Sequence, residues 1–224
     1  MRFLLNKISC QYSMAIKITT GLTDCDLVGK SHWWGFADLP DGVEYPCLKG
    51  GEVDDEGTEE TLTFICQLRL EDVAPLDTEG ALPREGMLWF FADLDYFLGD
   101  LEAPCDGTGE WPEGSYKVIY SPHCDNLNTH KVCWADGESA CMPAEQMEFE
   151  QTEPYDGGHK LLGYPLMDEW GDTADGELRL LLQVDSEDRW GLRFFDMGTL
   201  CFLIGAEDLA ARRFDRAKVM MYSS

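Results

Sequence analysis

The chain has no long apolar run, few basic residues and no paired-cysteine motif, and each shortage removes a class of function. No stretch approaches the ~20 apolar residues that cross a bilayer as a helix, so no membrane role is expected. Met1-Arg2-Phe3-Leu4-Leu5 imitates a signal peptide, but Asn6 and Lys7 end the apolar stretch after three residues. A secretory core needs roughly 7 to 15. Export is therefore not expected. The first thirteen residues read as an extension or a mis-assigned start, ahead of an alternating segment that opens at Met14.

Lysine and arginine number 17 against 43 aspartates and glutamates, a formal net charge of −26. Binding phosphate backbones requires clustered bases, and none is present, so no nucleic acid is expected. Such a field favours cations or a basic protein partner, with plain solubility as the simpler reading. The nine cysteines, Cys10, Cys25, Cys47, Cys66, Cys105, Cys124, Cys133, Cys141 and Cys201, are odd in number and contain no C-x-x-C pair. Without an export signal they read as reduced thiols in the cytoplasm. Cys66 and Cys201 sit in apolar runs, where a thiol packs as a small hydrophobe.

Complete catalytic and metal motifs are missing too. Gly29-Lys30-Ser31 lacks the earlier glycine of a phosphate loop; Asp24 stands there and would repel phosphate. Asp24 and Asp26, with Gly29, lack the later oxygen ligands of a calcium loop, since Val28 and Gly35 occupy those places. Gly137-Glu138-Ser139-Ala140-Cys141 misses the nucleophile elbow at its last position. His123, Cys124, His130 and Cys133, with Cys141 beyond, form a soft-ligand cluster whose spacing fits no common zinc module. No metal and no cofactor are expected.

What is there is strand signal: short apolar, β-branched or aromatic runs separated by Gly, Pro and Asp. Strands are expected near Ala15–Thr19, Leu62–Leu70, Met87–Ala92, Tyr116–Ser121, Leu178–Asp185, Thr199–Ile204 and Ala217–Tyr222. Glu207–Arg213 reads as a helix, with acids first and bases last, and Pro143–Gln151 as a second. Gly50–Glu60 and Asp100–Gly114 read as exposed loops. The expected fold class is α+β, sheet-rich, in one compact body.

Three blocks recur in the same order. Gly35-Phe36-Ala37 returns 128 residues later as Gly163-Tyr164-Pro165. Phe64-Ile65-Cys66-Gln67-Leu68 returns 116 residues later as Leu180-Leu181-Leu182-Gln183-Val184. Gly86 to Phe91 returns 112 residues later as Gly198 to Leu203. Shared order points to an internal duplication with shorter loops in the second copy. The domain is expected over 14–224, with halves near 14–121 and 158–224 and an irregular segment 122–157 between them.

Gln67 and Gln183 are polar residues inside apolar strands, where an unpartnered amide costs ~1–3 kcal/mol. Each either ties strands and loops together or faces a cleft shared by the halves, with Asp185 on the same rim. Trp33-Trp34 is the densest aromatic feature. Neighbours on a strand point to opposite faces, so at most one indole is expected in the core, and the other is a candidate platform or packs against a loop. With Lys160 of the central block, the candidate ligand-binding residues are Gln67, Gln183, Asp185, Trp33 and Lys160. No catalytic residue is assigned.

At these blocks the chain resembles the YwqG-like family of bacterial proteins, whose function is unknown. Its Ser-Lys-x-Gly-Gly-x-Pro-x-Leu-Pro motif is similar to Ser31-His32-Trp33-Trp34-Gly35-Phe36-Ala37-Asp38-Leu39-Pro40, which departs from it at His32, Trp34 and Ala37. Phe64 to Leu68, Leu82-Pro83 through Phe91, Gly158 to Pro165, Leu180 to Ser186 and Asp196 to Leu209 resemble further blocks in order. The resemblance implies a compact α+β, largely sheet protein and brings no catalytic residues with it. Toxin–immunity gene neighbourhoods of some members imply protein binding. The functional expectation is a non-catalytic acidic interaction domain, immunity-like, that engages a basic protein. The alternatives are an enzyme with a cleft between the halves, using carboxylate or Cys/His chemistry, and a zinc- or calcium-dependent structural domain.

Overall fold

Runs that are apolar on both faces, Met87–Ala92 and Thr199–Gly205 among them, become strands buried on both sides, and runs that alternate become strands with one exposed face. A computed structural model describes residues 14–51, 60–94, 107–134, 136–166 and 177–223. In chain order the elements are β1 (Ala15–Leu22), β2 (His32–Trp33), β3 (Ala37–Pro40), β4 (Thr63–Arg69), α1 (Leu70–Val73), β5 (Met87–Ala92), β6 (Gly109–Glu110) and β7 (Tyr116–Ser121). They continue as β8 (Leu127–His130), β9 (Glu145–Thr152), β10 (Lys160–Leu161), β11 (Leu178–Asp185), β12 (Thr199–Gly205), α2 (Ala206–Ala210) and β13 (Lys218–Tyr222).

The α+β expectation is overturned. Strand accounts for 42% and helix for 8%, in two short helices, and the main sheet curls into a half-barrel. The physical reason is the scarcity of segments with a helical apolar stripe. Pro143–Gln151, read as a helix, is strand β9: Met147 and Phe149 pack against the core while Glu148 and Glu150 are exposed, a period of two. Glu207–Arg213 shortens to α2, whose Glu207 and Asp208 lie in the first turn. Of the two expected loops, residues 52–59 and 100–106 lie outside the described residues.

Eleven strands of the described residues form one sheet in the order β6-β13-β12-β11-β10-β1-β9-β2-β4-β5-β7. The antiparallel pair β1–β9 is its middle, centred on Thr19 opposite Glu148. One arm runs outward through β2, β4, β5 and β7, the other through β10, β11, β12 and β13. The arms share their register: His32 pairs with Gln67 and Lys160 with Gln183. Each carries an irregularity at the same place, between Phe64 and Cys66 and between Leu180 and Leu182. The chain leaves β2 and β10 through two positive-φ residues, Trp34 (54°) and Gly35 (76°) in one arm, Leu162 (60°) and Gly163 (72°) in the other. A side chain at Gly35 would start 2.7 Å from Ala144 Cβ, and one at Gly163 2.6 Å from Pro154 O, so only glycine fits either turn.

Strand β5, MLWFFA, is buried along its whole length and packs on both faces of the sheet. Leu88 and Phe90 enter the main core with β12 residues Leu200 and Phe202, and Phe90 meets Phe202 edge-on at 5.2 Å. Met87, Trp89 and Phe91 face a second cluster with Ala37 and Leu39. The small β3–β8 sheet covers that face. Burial of this kind contributes roughly 25 cal/mol per Å² of apolar surface, which outweighs the weak β-propensity of Met and Leu.

Candidate functional site

Gln67 and Gln183 are fully buried and make matching hydrogen bonds. Gln67 Oε1 accepts the Asp38 amide at 2.9 Å, and its Nε2 donates to Lys30 O at 3.0 Å. Gln183 Oε1 accepts the Leu166 amide at 2.8 Å, and its Nε2 donates to Gly158 O at 2.8 Å. Each amide thus holds both ends of the loop that wraps its own arm. Gln67 is more heavily used, taking Trp89 Nε1 at 3.2 Å and donating to Asp38 Oδ2 at 2.9 Å.

Asp38 anchors the first arm. Its carboxylate accepts Gly29 N at 2.9 Å and Thr129 Oγ1 at 2.6 Å, and His32 Nε2 lies 3.7 Å away. Burial alone would raise its pKa. Hydrogen bonds from His32, Thr129, Gly29 and Gln67 outweigh that and hold it at about 2. Beside it, Ser31 Oγ donates to Asp72 at 2.6 Å.

In the second arm Lys160 takes the place of His32. Its buried ammonium donates to the carbonyls of Pro154 and Asp156. Burial pulls its pKa down to about 8, against the opposite pull of Cys201, Asp156 and Asp185. Asp185 accepts Gly158 N at 2.8 Å, and its own amide donates to His159 Nδ1 at 3.0 Å. A ring nitrogen that accepts cannot carry a proton, so His159 is neutral. Burial, with the charge of Arg189, holds its pKa down at about 3.

An aromatic stack joins the arms. Trp190 stacks on Trp33 at 5.6 Å and on His159 at 5.1 Å, while Trp34 meets it edge-on at 5.3 Å. Glu145 accepts Trp190 Nε1 at 2.8 Å, Arg189 at 2.9 Å and Thr20 Oγ1 at 2.6 Å. Arg189 lies 4.5 Å over the Trp190 ring. The expectation that one tryptophan would stay outside is corrected here: Trp33 and Trp34 are both buried. Positive φ at Trp34 breaks strand alternation and turns the second indole inward as well.

Three spaces of about 510, 490 and 470 Å³ open among the described residues, and the first lies between β7 and the segment that enters β13. A cleft of about 510 Å³ is walled by Tyr116, Lys117 and Val118 of β7 on one side and by Arg216, Ala217 and Lys218 on the other. The chain bridges its end: β6 pairs with β13 at Met220 and Met221, Trp111 N donates to Val219 O at 2.9 Å, and β7 begins at Tyr116. Lys218 is tied to Glu110 at 3.0 Å. Burial, then Glu110 and Glu113, raise the Tyr116 pKa, so its phenol stays protonated.

Trp33, Lys160, Gln183 and Asp185 gather with His159 around β10 and β11, whereas Gln67 belongs to the other arm, and none of the five lines this cleft. Among the described residues no three His, Cys, Asp or Glu side chains converge to hold a metal, the His123–Cys141 segment included. No helix of the described residues is long and apolar enough to cross a membrane. Asp38, Glu145, His159 and Trp190 escaped the sequence reading because their partners are remote. Lys117, a charge inside an otherwise apolar edge strand, was the one available signal for the cleft.

Residues 31–222 match a family model described as a domain of unknown function, DUF1963. No curated protein matches the chain.

Proposed function

The chain belongs to the DUF1963 family, whose function is unassigned, and from its geometry we propose that it is a non-catalytic interaction domain engaging a basic protein at the cleft between its arms. The carrying observation is that cleft, walled from both ends of the curled sheet, on a chain of net charge −26. A field of that sign steers cationic proteins and raises their encounter rate. The buried polar groups already described spend their hydrogen bonds internally, which suits support better than turnover.

Gln67, Gln183, Asp185, Trp33 and Lys160 enter this reading as the residues that set the arms. Gln183→Leu separates support from ligand contact, since only a supporting role lowers the melting temperature. The YwqG-like resemblance, a cytoplasmic setting and an immunity-like role belong to the same proposal. So does a duplication of halves near 14–121 and 158–224, supported by the common register and paired positive-φ turns.

The test is affinity capture on the immobilised protein from lysate of its native cell. The expected result is retention of a basic protein that elutes as salt is raised through the screening range. Retention of nothing, or of an acidic protein insensitive to salt, overturns the proposal.

A further inference from the structure

We infer that an opening in the sheet, between β9 and the β4–α1 corner, binds a small zwitterion: an α-amino acid with an apolar side chain. The site shares no lining residue with the cleft and stands apart from the reading above. β2 is only two residues long, and it pairs with β9 at Gln146 and Glu145 and with β4 at Gln67 and Cys66. On the N-terminal side of Ser31 the chain turns away, Lys30 N donating to Leu27 O and Gly29 N to Asp38. No strand of the described residues then lies between Met147–Phe149 of β9 and Arg69 of β4. Further along β9, Gln151 Nε2 donates to Leu76 O at 3.1 Å and ties the two sides together. The space between them is about 470 Å³, within the ~300–1,000 Å³ of small-molecule sites.

Its lining offers both signs of charge and an apolar wall. Lys30 and Arg69 are its bases and Asp72 its acid, two to one on a chain where acids outnumber bases 43 to 17. Lys30 donates one proton to Asp26 O at 2.7 Å and keeps two. Arg69 Nε lies 3.7 Å from the Glu71 carboxylate, with both side chains more than 40% exposed, so water weakens that pairing. Ser31 Oγ donates to Asp72 at 2.6 Å and accepts Arg69 N at 2.9 Å, which fixes the acid and the strand end carrying the base side by side. Leu27, Met147 and Phe149 form the apolar wall, and the alternating Glu148 and Glu150 do not line it. A lone carboxylate would meet Asp72, and a lone ammonium would meet Lys30 and Arg69. A zwitterion matches all three charges, and the apolar wall selects its side chain.

The probes are leucine, N-acetylleucine, leucinamide and glutamate, titrated into the full chain by calorimetry and by thermal shift. The expected result is binding of leucine, with a loss of at least about threefold for N-acetylleucine, which lacks the ammonium, and for leucinamide, which lacks the carboxylate. Glutamate should bind more weakly than leucine, because its second carboxylate faces the apolar wall. Asp72→Asn should narrow only the gap between leucine and N-acetylleucine, and Arg69→Gln only that between leucine and leucinamide, a pattern that general loss of fold cannot produce. Lys30→Gln repeats the second test at a side chain free of the Ser31 contacts. No response to leucine up to about 10 mM overturns the inference. Equal binding of leucine and N-acetylleucine, or gaps that the variants leave unchanged, overturns it too. Tighter binding of N-acetylleucine makes this an anion site and has the same effect. Capture of a basic protein at the cleft is read separately, so failure here and failure there are distinguishable.

Discussion

Asp38 and Leu166 hold the same place in the two arms and have opposite fates. Each donates its backbone amide to the buried glutamine of its arm, Asp38 to Gln67 and Leu166 to Gln183. The Asp38 side chain is sealed under β8 and bonded by Thr129, while Leu166 is 43% exposed. Asp38→Ala leaves Gly29 N, Thr129 Oγ1 and one Gln67 proton without their acceptor and is expected to cost roughly 3–5 kcal/mol. Leu166→Ala should cost no more than about 1 kcal/mol. Urea unfolding of both variants checks the contrast, and equal losses would refute it.

Two groups make the fold acid-sensitive in successive, overlapping windows. His159 is held at about 3 in the folded chain, against about 6.5 when unfolded. The unfolded chain therefore binds the extra proton between those values. Stability is fully present above pH 6.5 and falls as pH drops toward 3. Asp38, held at about 2, contributes above its unfolded value near 3.9 and loses on the order of 2 kcal/mol as pH falls through 2. His159→Gln should flatten the urea midpoint between pH 6.5 and 4.5 while leaving the decline below pH 4. An unchanged slope in that variant would remove His159 as the cause.

Local chemistry carried the long strands, and neighbours decided the rest. Met87–Ala92, Tyr116–Ser121 and Leu178–Asp185 were legible to the residue, because aromatic and branched runs bounded by Gly, Pro and Asp rarely do anything else. Two-residue strands such as His32–Trp33 and Lys160–Leu161 carry no periodicity; only their pairing defines them. Glu145–Thr152 misled because its glutamates and glutamine favour helix while Met147 and Phe149 alternate. The glutamines stood out as polar residues in apolar strands. Their bonding partners lie 17 to 37 residues away, in loops and in other strands that no local pattern marks. The cleft is further from view, since its walls come from β7 and from the segment entering β13, a hundred residues apart in the chain.

The two glutamines should differ in cost although they match in geometry. Gln183→Leu strands the Leu166 amide and the Gly158 carbonyl, a loss of roughly 2–4 kcal/mol. Gln67→Leu strands the equivalent pair and also strips a donor from Asp38 and the acceptor of Trp89 Nε1, so its loss should be larger. Thermal unfolding of the two variants checks the order. A smaller loss for Gln67→Leu would mean that the Asp38 network reorganises around the missing amide.

Tyr120→Phe is expected to act in the opposite direction to most substitutions. The Tyr120 hydroxyl is buried without a partner, and a polar atom so placed destabilises the free fold. Its ring packs on Phe214 and the main core, contacts that phenylalanine keeps. Removing one oxygen should therefore raise the stability of the free protein, by about 0.5–2 kcal/mol. Urea unfolding of the variant beside the parent chain checks it. A less stable variant means that the hydroxyl has a partner in the free protein.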